Sequence, residues 1–147
     1  MRFIYPITLT EMAEGPPAEH GFAVTFPGLP EANTWGDTRA EALANAADCL
    51  EKALAARIAN REDLPAPSPA RGRPTAAPGS LIGSKAALYL ALRQADVRPS
   101  DLARRMGVQP SVVTRLLNPR HASRPGQFDA AFAALDQRLV VSLEPVA

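Results

Sequence analysis

The sequence has few of the residues that build covalent cross-links and metal centres. Its 147 residues include one cysteine, Cys49, and two histidines, His20 and His121, which lie far apart along the chain. A single cysteine excludes an intramolecular disulfide and is typical of a reducing compartment. Structural zinc sites usually take four cysteine or histidine ligands, so we expect neither a structural metal nor a cofactor.

Long apolar runs are also absent. No stretch approaches the ~20 consecutive apolar residues of a membrane-spanning helix. The first ten residues hold one charge, Arg2, followed by Pro6, whereas a secretory signal has a basic region and then an apolar core. We therefore expect a soluble, cytoplasmic protein with no membrane partner.

The sequence lacks a recognisable catalytic motif. It has no glycine-rich phosphate loop, and its serine, histidine and aspartate residues show no nucleophile spacing. The acidic residues Asp37, Glu41, Asp48 and Glu51 could suggest a metal-dependent nuclease, but Glu41 is better explained as a helix cap and Asp48 as an ion-pair partner. We expect no catalytic residue and no enzyme activity, with a nuclease as the third alternative.

The formal net charge of +1 hides an asymmetry along the chain. Residues 1–64 hold five Lys/Arg and ten Asp/Glu, whereas residues 80–147 hold nine Lys/Arg and five Asp/Glu. Opposite charge on the two halves indicates two modules with different partners. The acidic half suits a basic protein and the basic half suits nucleic acid, although two ordinary solvated surfaces would give the same counts.

A proline-rich stretch separates the two halves. Residues 64–79 read LPAPSPARGRPTAAPG and contain five prolines. Proline removes backbone donors and disfavours helix in the preceding residue, so this composition predicts an extended, semi-rigid spacer. We therefore divide the chain into residues 1–64, a linker at 65–79, and residues 80–147.

The first module combines strand and helix signals. Residues 2–9, 21–26 and 33–36 are predicted strands, with a turn at 27–30. Thr38 and Glu41 form a capping box that starts a helix. An apolar stripe at helical spacing follows: Leu43, Ala47, Leu50, Leu54 and Ile58. The fold class is therefore α+β, with a small antiparallel sheet covered by one helix.

The second module is predicted to be mostly helical. Its apolar spacing indicates helices at residues 84–95, 99–106, 110–117 and 124–136. Residues 139–143 read as a strand. A lone strand needs a partner, so it would pair with the first module or with a second chain.

Residues 99–118, PSDLARRMGVQPSVVTRLLN, carry the functional signal. Two short helices meet at Gly107, where a positive φ is wanted. Ala103 is small enough for the second helix to cross nearby, and Pro99 and Pro110 fall where each helix should begin. This arrangement resembles the phage-repressor type of helix-turn-helix.

The outward residues of this motif are those that DNA readout needs. The candidates for base contacts lie on or beside the second helix: Gln109, Ser111, Val112, Thr114, Arg115 and Asn118. The candidates for phosphate contacts are Arg104, Arg105, Arg120 and Arg124. Arg98 and Gln109 stand where Ser or Thr caps are commoner, and a helical hairpin with basic solvated sides is the structural alternative.

Several short motifs together resemble the HicB-type antitoxin domain. They are GFAVTFP at 21–27, LP at 29–30, TWGDT at 34–38 and EAL at 41–43. KAALY at 85–89 and RLVVSLE at 138–144 are similar to the tail of the family's helix-turn-helix branch. Gly28 departs from the usual acidic residue, and residues 75–77 are a poor version of the strand expected after the linker.

The resemblance implies a specific function. The first module would have a partial ribonuclease-H-like fold without catalytic carboxylates, and it would bind and occlude a HicA-type toxin that cleaves messenger RNA. The second module would repress its own operon by binding operator DNA, as a homodimer or higher oligomer. The toxin-contact candidates, each equally suited to core or turn packing, are Tyr5, Phe26, Pro27, Leu29 and Trp35.

One competing interpretation stays open at this point. A stand-alone repressor could carry the same helix-turn-helix while its first module senses a small ligand. A small basic toxin encoded beside this chain would favour the antitoxin, and its absence would favour the repressor.

Overall fold

A computed structural model describes residues 1–146 and shows the mixed α+β class that the sequence predicted. The strands are β1 (Tyr5–Pro6), β2 (Thr8–Met12), β3 (Gly21–Phe26), β4 (Leu29–Gly36) and β5 (Thr75–Ala76). The helices are α1 (Arg39–Ala59), α2 (Ser80–Ala95), α3 (Pro99–Met106), α4 (Pro110–Leu116) and α5 (Pro125–Ala133), with a 3₁₀ turn at Pro17–Glu19. Within residues 1–146, none of the helices is long and apolar enough to cross a membrane.

The main sheet is an antiparallel meander in the order β2-β3-β4. Phe26 pairs directly with Leu29, so the turn between β3 and β4 consists of Pro27 and Gly28 alone. The predicted turn at 27–30 was therefore too long, and the third strand starts at Leu29 rather than at residue 33. The predicted first strand at 2–9 is divided into β1 and β2 at Ile7.

Helix α1 covers the sheet and starts where its capping residues predicted. Thr38 Oγ1 accepts a hydrogen bond from the Glu41 amide at 3.1 Å, and Glu41 Oε2 accepts one from the Asp37 amide at 3.0 Å. These bonds satisfy amides that have no partner within the helix. Three residues of the predicted stripe, Leu50, Leu54 and Ile58, are buried, together with Ala42 and Ala46. Leu43 and Ala47, the other two, are only half-buried.

The proline-rich segment, predicted as an extended, semi-rigid spacer, packs along the first module. Strand β5 pairs antiparallel with β1, and the Ile7 amide donates to the Pro74 carbonyl at 2.9 Å. The Tyr5 hydroxyl donates to the Pro65 carbonyl at 2.8 Å. The backbone groups of β1 need hydrogen-bond partners, and the linker supplies them. The weak strand signal at 75–77 thus forms a strand of two residues.

Helix α2 begins at Ser80, one turn before the predicted start, and contributes to two hydrophobic cores. One face joins the first module through Ile82, Ala86, Tyr89 and Leu90. The other face joins the helical module through Leu88, Ala91 and Leu92. The Tyr89 hydroxyl also donates to the Glu62 carbonyl at 2.6 Å. The two modules are therefore packed together through α2.

Residues 139–143, predicted as a strand, form no regular secondary structure. Val141 and Leu143 are 87% and 98% exposed. Within residues 1–146 no neighbouring strand pairs with this stretch, and an extended segment without a partner gains no ladder hydrogen bonds. Helix α5 also ends earlier than predicted, at Ala133 rather than Asp136.

Candidate nucleic-acid interface and protein-binding surface

The helix-turn-helix predicted from residues 99–118 is present as α3, a turn and α4. Gly107 adopts a left-handed conformation with φ of 67° and ends α3, because its lack of a Cβ removes the steric cost of that conformation. Proline occupies the first position of both helices. The buried residues that hold α3 and α4 together are Leu102, Ala103, Val113 and Leu116.

At the start of α3, where the N-cap residue Arg98 has no capping oxygen, the Asp101 carboxylate reaches back towards the Arg98 amide. Asp101 Oδ2 lies 3.4 Å from the Arg98 amide and 3.2 Å from Arg98 Nε, and Asp101 Oδ1 accepts from Arg104 at 2.9 Å. Hydrogen bonding from the Arg98 side chain lowers the pKa of Asp101. Arg104 is therefore held by an ion pair, whereas Arg105, Arg115, Arg120 and Arg124 have no acidic partner in the described chain.

The structure leaves the DNA candidates at the surface on or beside α3 and α4. The exposed ones are Gln109, Ser111, Thr114, Arg115, Asn118, Arg104, Arg105, Arg120 and Arg124, and Val112 is half-buried. Two of them also hold local structure. Thr114 Oγ1 donates to the Pro110 carbonyl at 3.1 Å, and Asn118 Oδ1 accepts from the Arg120 amide at 3.0 Å. Arg115, at the end of α4, makes no side-chain hydrogen bond or ion pair within the described residues.

Sequence reasoning missed Lys85, which is completely buried on α2. Its Nζ donates to the carbonyls of Arg115 and Leu116 at 3.0 Å each and to Ser123 Oγ at 2.9 Å. Desolvation by burial lowers the pKa of Lys85. A charged residue inside an apolar helical stretch, as Lys85 is next to Ala86, could have indicated a buried lysine. The prediction from sequence includes Lys85 only as part of a family motif.

Three of the five toxin-contact candidates lie in the core. Tyr5, Phe26 and Leu29 are at most 3% exposed. Burial raises the pKa of Tyr5 to about 12. Their side chains stabilise the sheet against α1, so the structure corrects their assignment to a surface and leaves Pro27 and Trp35 as the accessible candidates.

Trp35 lies on β4, an edge strand of the sheet, and is 36% exposed. Its ring lies against Gly21, where an added Cβ would come within 2.3 Å of Trp35 Cζ2. Its Nε1 lies 3.5 Å from Asp37 Oδ1, and Glu31 and Asp48 are also exposed on β4 and α1. No group of three or more His, Cys, Asp or Glu residues in positions 1–146 could hold a metal ion. Glu31 pairs with Arg57 and Asp48 with Lys52, so Asp37 is the carboxylate that lies beside the Trp35 ring at the sheet edge.

Comparison with known proteins identifies the family of this chain. The family model described as the HicB_like antitoxin of bacterial toxin-antitoxin system matches residues 4–75. The antitoxin HicB 1 of Photorhabdus laumondii subsp. laumondii is 35% identical over 140 residues, which cover 95% of this chain and 86% of that protein. The chain belongs to the HicB family of antitoxins. The antitoxin HicB of Escherichia coli K12 is 36% identical over 136 residues, covering 92% of this chain and 95% of its own.

Membership of the family confirms the resemblance drawn from the short motifs. It makes this chain an antitoxin of a toxin-antitoxin system, and not an enzyme. The family match at 4–75 includes both accessible candidates, Pro27 in the turn before β4 and Trp35 on β4. The longer alignments cover more than nine-tenths of the chain, so they extend into the helical module of this antitoxin.

Proposed function

We propose that this antitoxin neutralises a HicA-type, mRNA-cleaving toxin by direct binding and represses its own operon by binding operator DNA. The observation that carries the proposal is the combination of a HicB-family first module with a complete helix-turn-helix in one chain. The first supplies the surface for a protein partner, and the second supplies the surface for DNA. We also propose that the chain acts in the cytoplasm, where both partners would be found.

The toxin surface is proposed at the β4 edge. Aromatic rings such as Trp35 contribute strongly to protein interfaces because they bury a large area with little loss of side-chain entropy. Asp37, beside Trp35, would attract the basic surface of an RNA-cleaving partner during its approach. Pro27, in the exposed turn before β4, completes this proposed surface.

A pull-down from the native cytosol tests the toxin partner. The full-length chain should retain a small basic protein that cleaves messenger RNA when free. Trp35→Ala should weaken this complex by about 2 kcal/mol or more, as expected for an interface hot spot. Because Trp35 also covers Gly21, an unfolding curve of the variant must accompany the binding measurement. Recovery of DNA without a protein partner would instead favour the stand-alone repressor.

Arg115→Ala tests direct base readout. We expect it to lower affinity for the antitoxin's own promoter DNA by roughly 1–3 kcal/mol, with a smaller effect on random DNA. Arg39→Ala is the matched control, because Arg39 is also exposed but lies at the start of α1. Binding of labelled duplexes measures both variants. An equal loss on random and promoter DNA would make Arg115 a phosphate contact.

We propose a homodimer built on residues 139–146. Val141 and Leu143 are exposed, and this extended stretch has no strand partner within residues 1–146. Pairing with the same segment of a second copy would supply ladder hydrogen bonds and cover these side chains. Two recognition helices could then reach half-sites about 34 Å apart. Sedimentation equilibrium should show a dimer that Val141→Asp dissociates, and a wild-type monomer would refute this arrangement.

A further inference from the structure

We infer that Lys85 is a positioning residue for DNA recognition, holding the end of α4 and the loop after it in the geometry that reads the operator. Lys85 itself is buried and cannot touch DNA. This inference rests on the proposed DNA binding, and it names Lys85 as a residue on which the preference for operator DNA depends.

The ammonium group of Lys85 is fully satisfied. Lysine carries three N–H donors, and its three acceptors lie at 2.9–3.0 Å: the carbonyls of Arg115 and Leu116 and the hydroxyl of Ser123. No buried side-chain nitrogen or oxygen in the described residues lacks a partner. The Lys85 ammonium therefore has a full set of hydrogen-bond acceptors inside an otherwise apolar cluster.

The two carbonyls belong to the last turn of α4, where the regular helix ladder ends. The Arg115 carbonyl also accepts from the Asn118 amide at 3.1 Å, so Lys85 reinforces a turn that the backbone has begun to close. Helix α4 has only seven residues, so its geometry depends on tertiary contacts more than on its own hydrogen bonds. A cation at the carboxyl end is favoured by the helix dipole. One acceptor is the backbone of Arg115, so Lys85 sets the position of the residue proposed to read a base.

The third acceptor extends this control to the loop after α4. Ser123 Oγ lies 3.1 Å from His121 Nδ1 and 3.4 Å from the Arg115 carbonyl. The loop carries Arg120, a candidate for phosphate contact, and leads into Arg124 and α5. The Phe128 ring on α5 lies 5.5 Å from Lys85 Nζ, within the range of a cation–π contact. One ammonium therefore connects α2, α4, the loop and α5.

The chain offers a closely matched control, because Lys52 is its only other lysine. Lys52 is exposed on α1, where it pairs with Asp48. Lys85→Met and Lys52→Met remove the same charge and keep a similar side-chain length. Each full-length variant would be measured with a duplex of the promoter upstream of its own reading frame and with a random-sequence duplex of equal length.

We expect Lys85→Met to lose about tenfold or more in promoter affinity, because two backbone carbonyls at the end of α4 lose a charged donor, and less than about threefold on random DNA. Lys52→Met should leave both affinities unchanged. Lower stability alone would reduce the active fraction equally for both duplexes and leave their ratio intact. The ratio of promoter to random affinity therefore separates positioning from folding, and an unchanged ratio in Lys85→Met would overturn the inference.

Ser123→Ala keeps the test decisive if Lys85→Met does not fold. It retains the charge but removes one acceptor, so promoter affinity should fall several-fold without a change in the salt dependence that counts phosphate contacts. A Ser123→Ala protein with wild-type discrimination would contradict a role for the loop contact. A wild-type chain that does not prefer its promoter would overturn the proposed operator binding and this inference together.

Discussion

Replacing Gly36 with alanine is expected to lower the free energy of unfolding by about 3 kcal/mol, the upper range for inserting a methyl group into a packed site. Gly36 ends β4 directly beneath the first turn of α1. An added Cβ would lie 2.3 Å from the Ala42 nitrogen and 2.7 Å from its Cα. These neighbours are backbone atoms, so the clash can be relieved only by moving the helix away from the sheet.

Gly28→Ala is the matched control for this prediction. Nothing lies within 4 Å of a Cβ built at Gly28, and its φ is outside the left-handed region. The same substitution should therefore leave the free energy of unfolding within about 0.5 kcal/mol of wild type. Urea denaturation followed by circular dichroism measures both variants. Equal transition midpoints would show that α1 does not approach β4 as closely as described.

Replacing Val113 with alanine should also be strongly destabilising. Val113 is completely buried between α3 and α4 among Leu102, Leu116 and Phe128. Losing two methyl groups and leaving a cavity should cost about 2–3 kcal/mol. DNA binding should weaken in proportion to the fraction of unfolded chain, with little change in the preference between sequences.

The neighbouring residue, Val112, provides the opposite expectation for the same substitution. Its side chain is half-buried and lies on the side of α4 proposed to contact a thymine methyl group. Val112→Ala should change stability by less than about 1 kcal/mol and should reduce affinity for promoter DNA more than for random DNA. A thermal melt and a binding titration on both variants would distinguish the two valines. If Val112→Ala lowered stability and Val113→Ala lowered promoter preference instead, α4 would be rotated about its axis.

The helix-turn-helix was predictable because its signals are local. Proline is favourable at a first helical position, and glycine can adopt the positive φ that ends α3. Both effects depend on a residue and its immediate neighbours. For the same reason the capping residues Thr38 and Glu41 located the start of α1. The predicted bounds of α3 were correct, and those of α4 differ by one residue.

The toxin-contact candidates show where local reasoning failed. Tyr5, Phe26 and Leu29 belong to motifs shared with the family, but a motif does not distinguish a surface residue from a core residue. Their burial results from α1 packing across the sheet, with Leu50 and Leu54 in the same core. The exposure of Trp35 has the same origin, because it depends on β4 being an edge strand.

The pairing of the linker with the first module could not be predicted for a related reason. Five prolines correctly indicated an extended chain, but composition does not show which backbone groups will pair with it. The partner of β5 is β1, some seventy residues earlier in the chain. Residues 139–143 have a stronger strand signal than β5 but form no strand. Strand propensity alone does not make a strand when no partner is present in the described chain.

The sequence by itself determined the α+β class, the helix-turn-helix, the family and the polar residues of α4, because periodicity, capping and turn chemistry operate over a few residues. Only the tertiary structure decided that α2 joins both cores and that Lys85 reaches the end of α4. Lys85 and Arg115 are thirty residues apart, and their contact exists because packing of apolar side chains places one inside the reach of the other. That packing is a property of the whole chain, since burial follows from the contacts of all elements together.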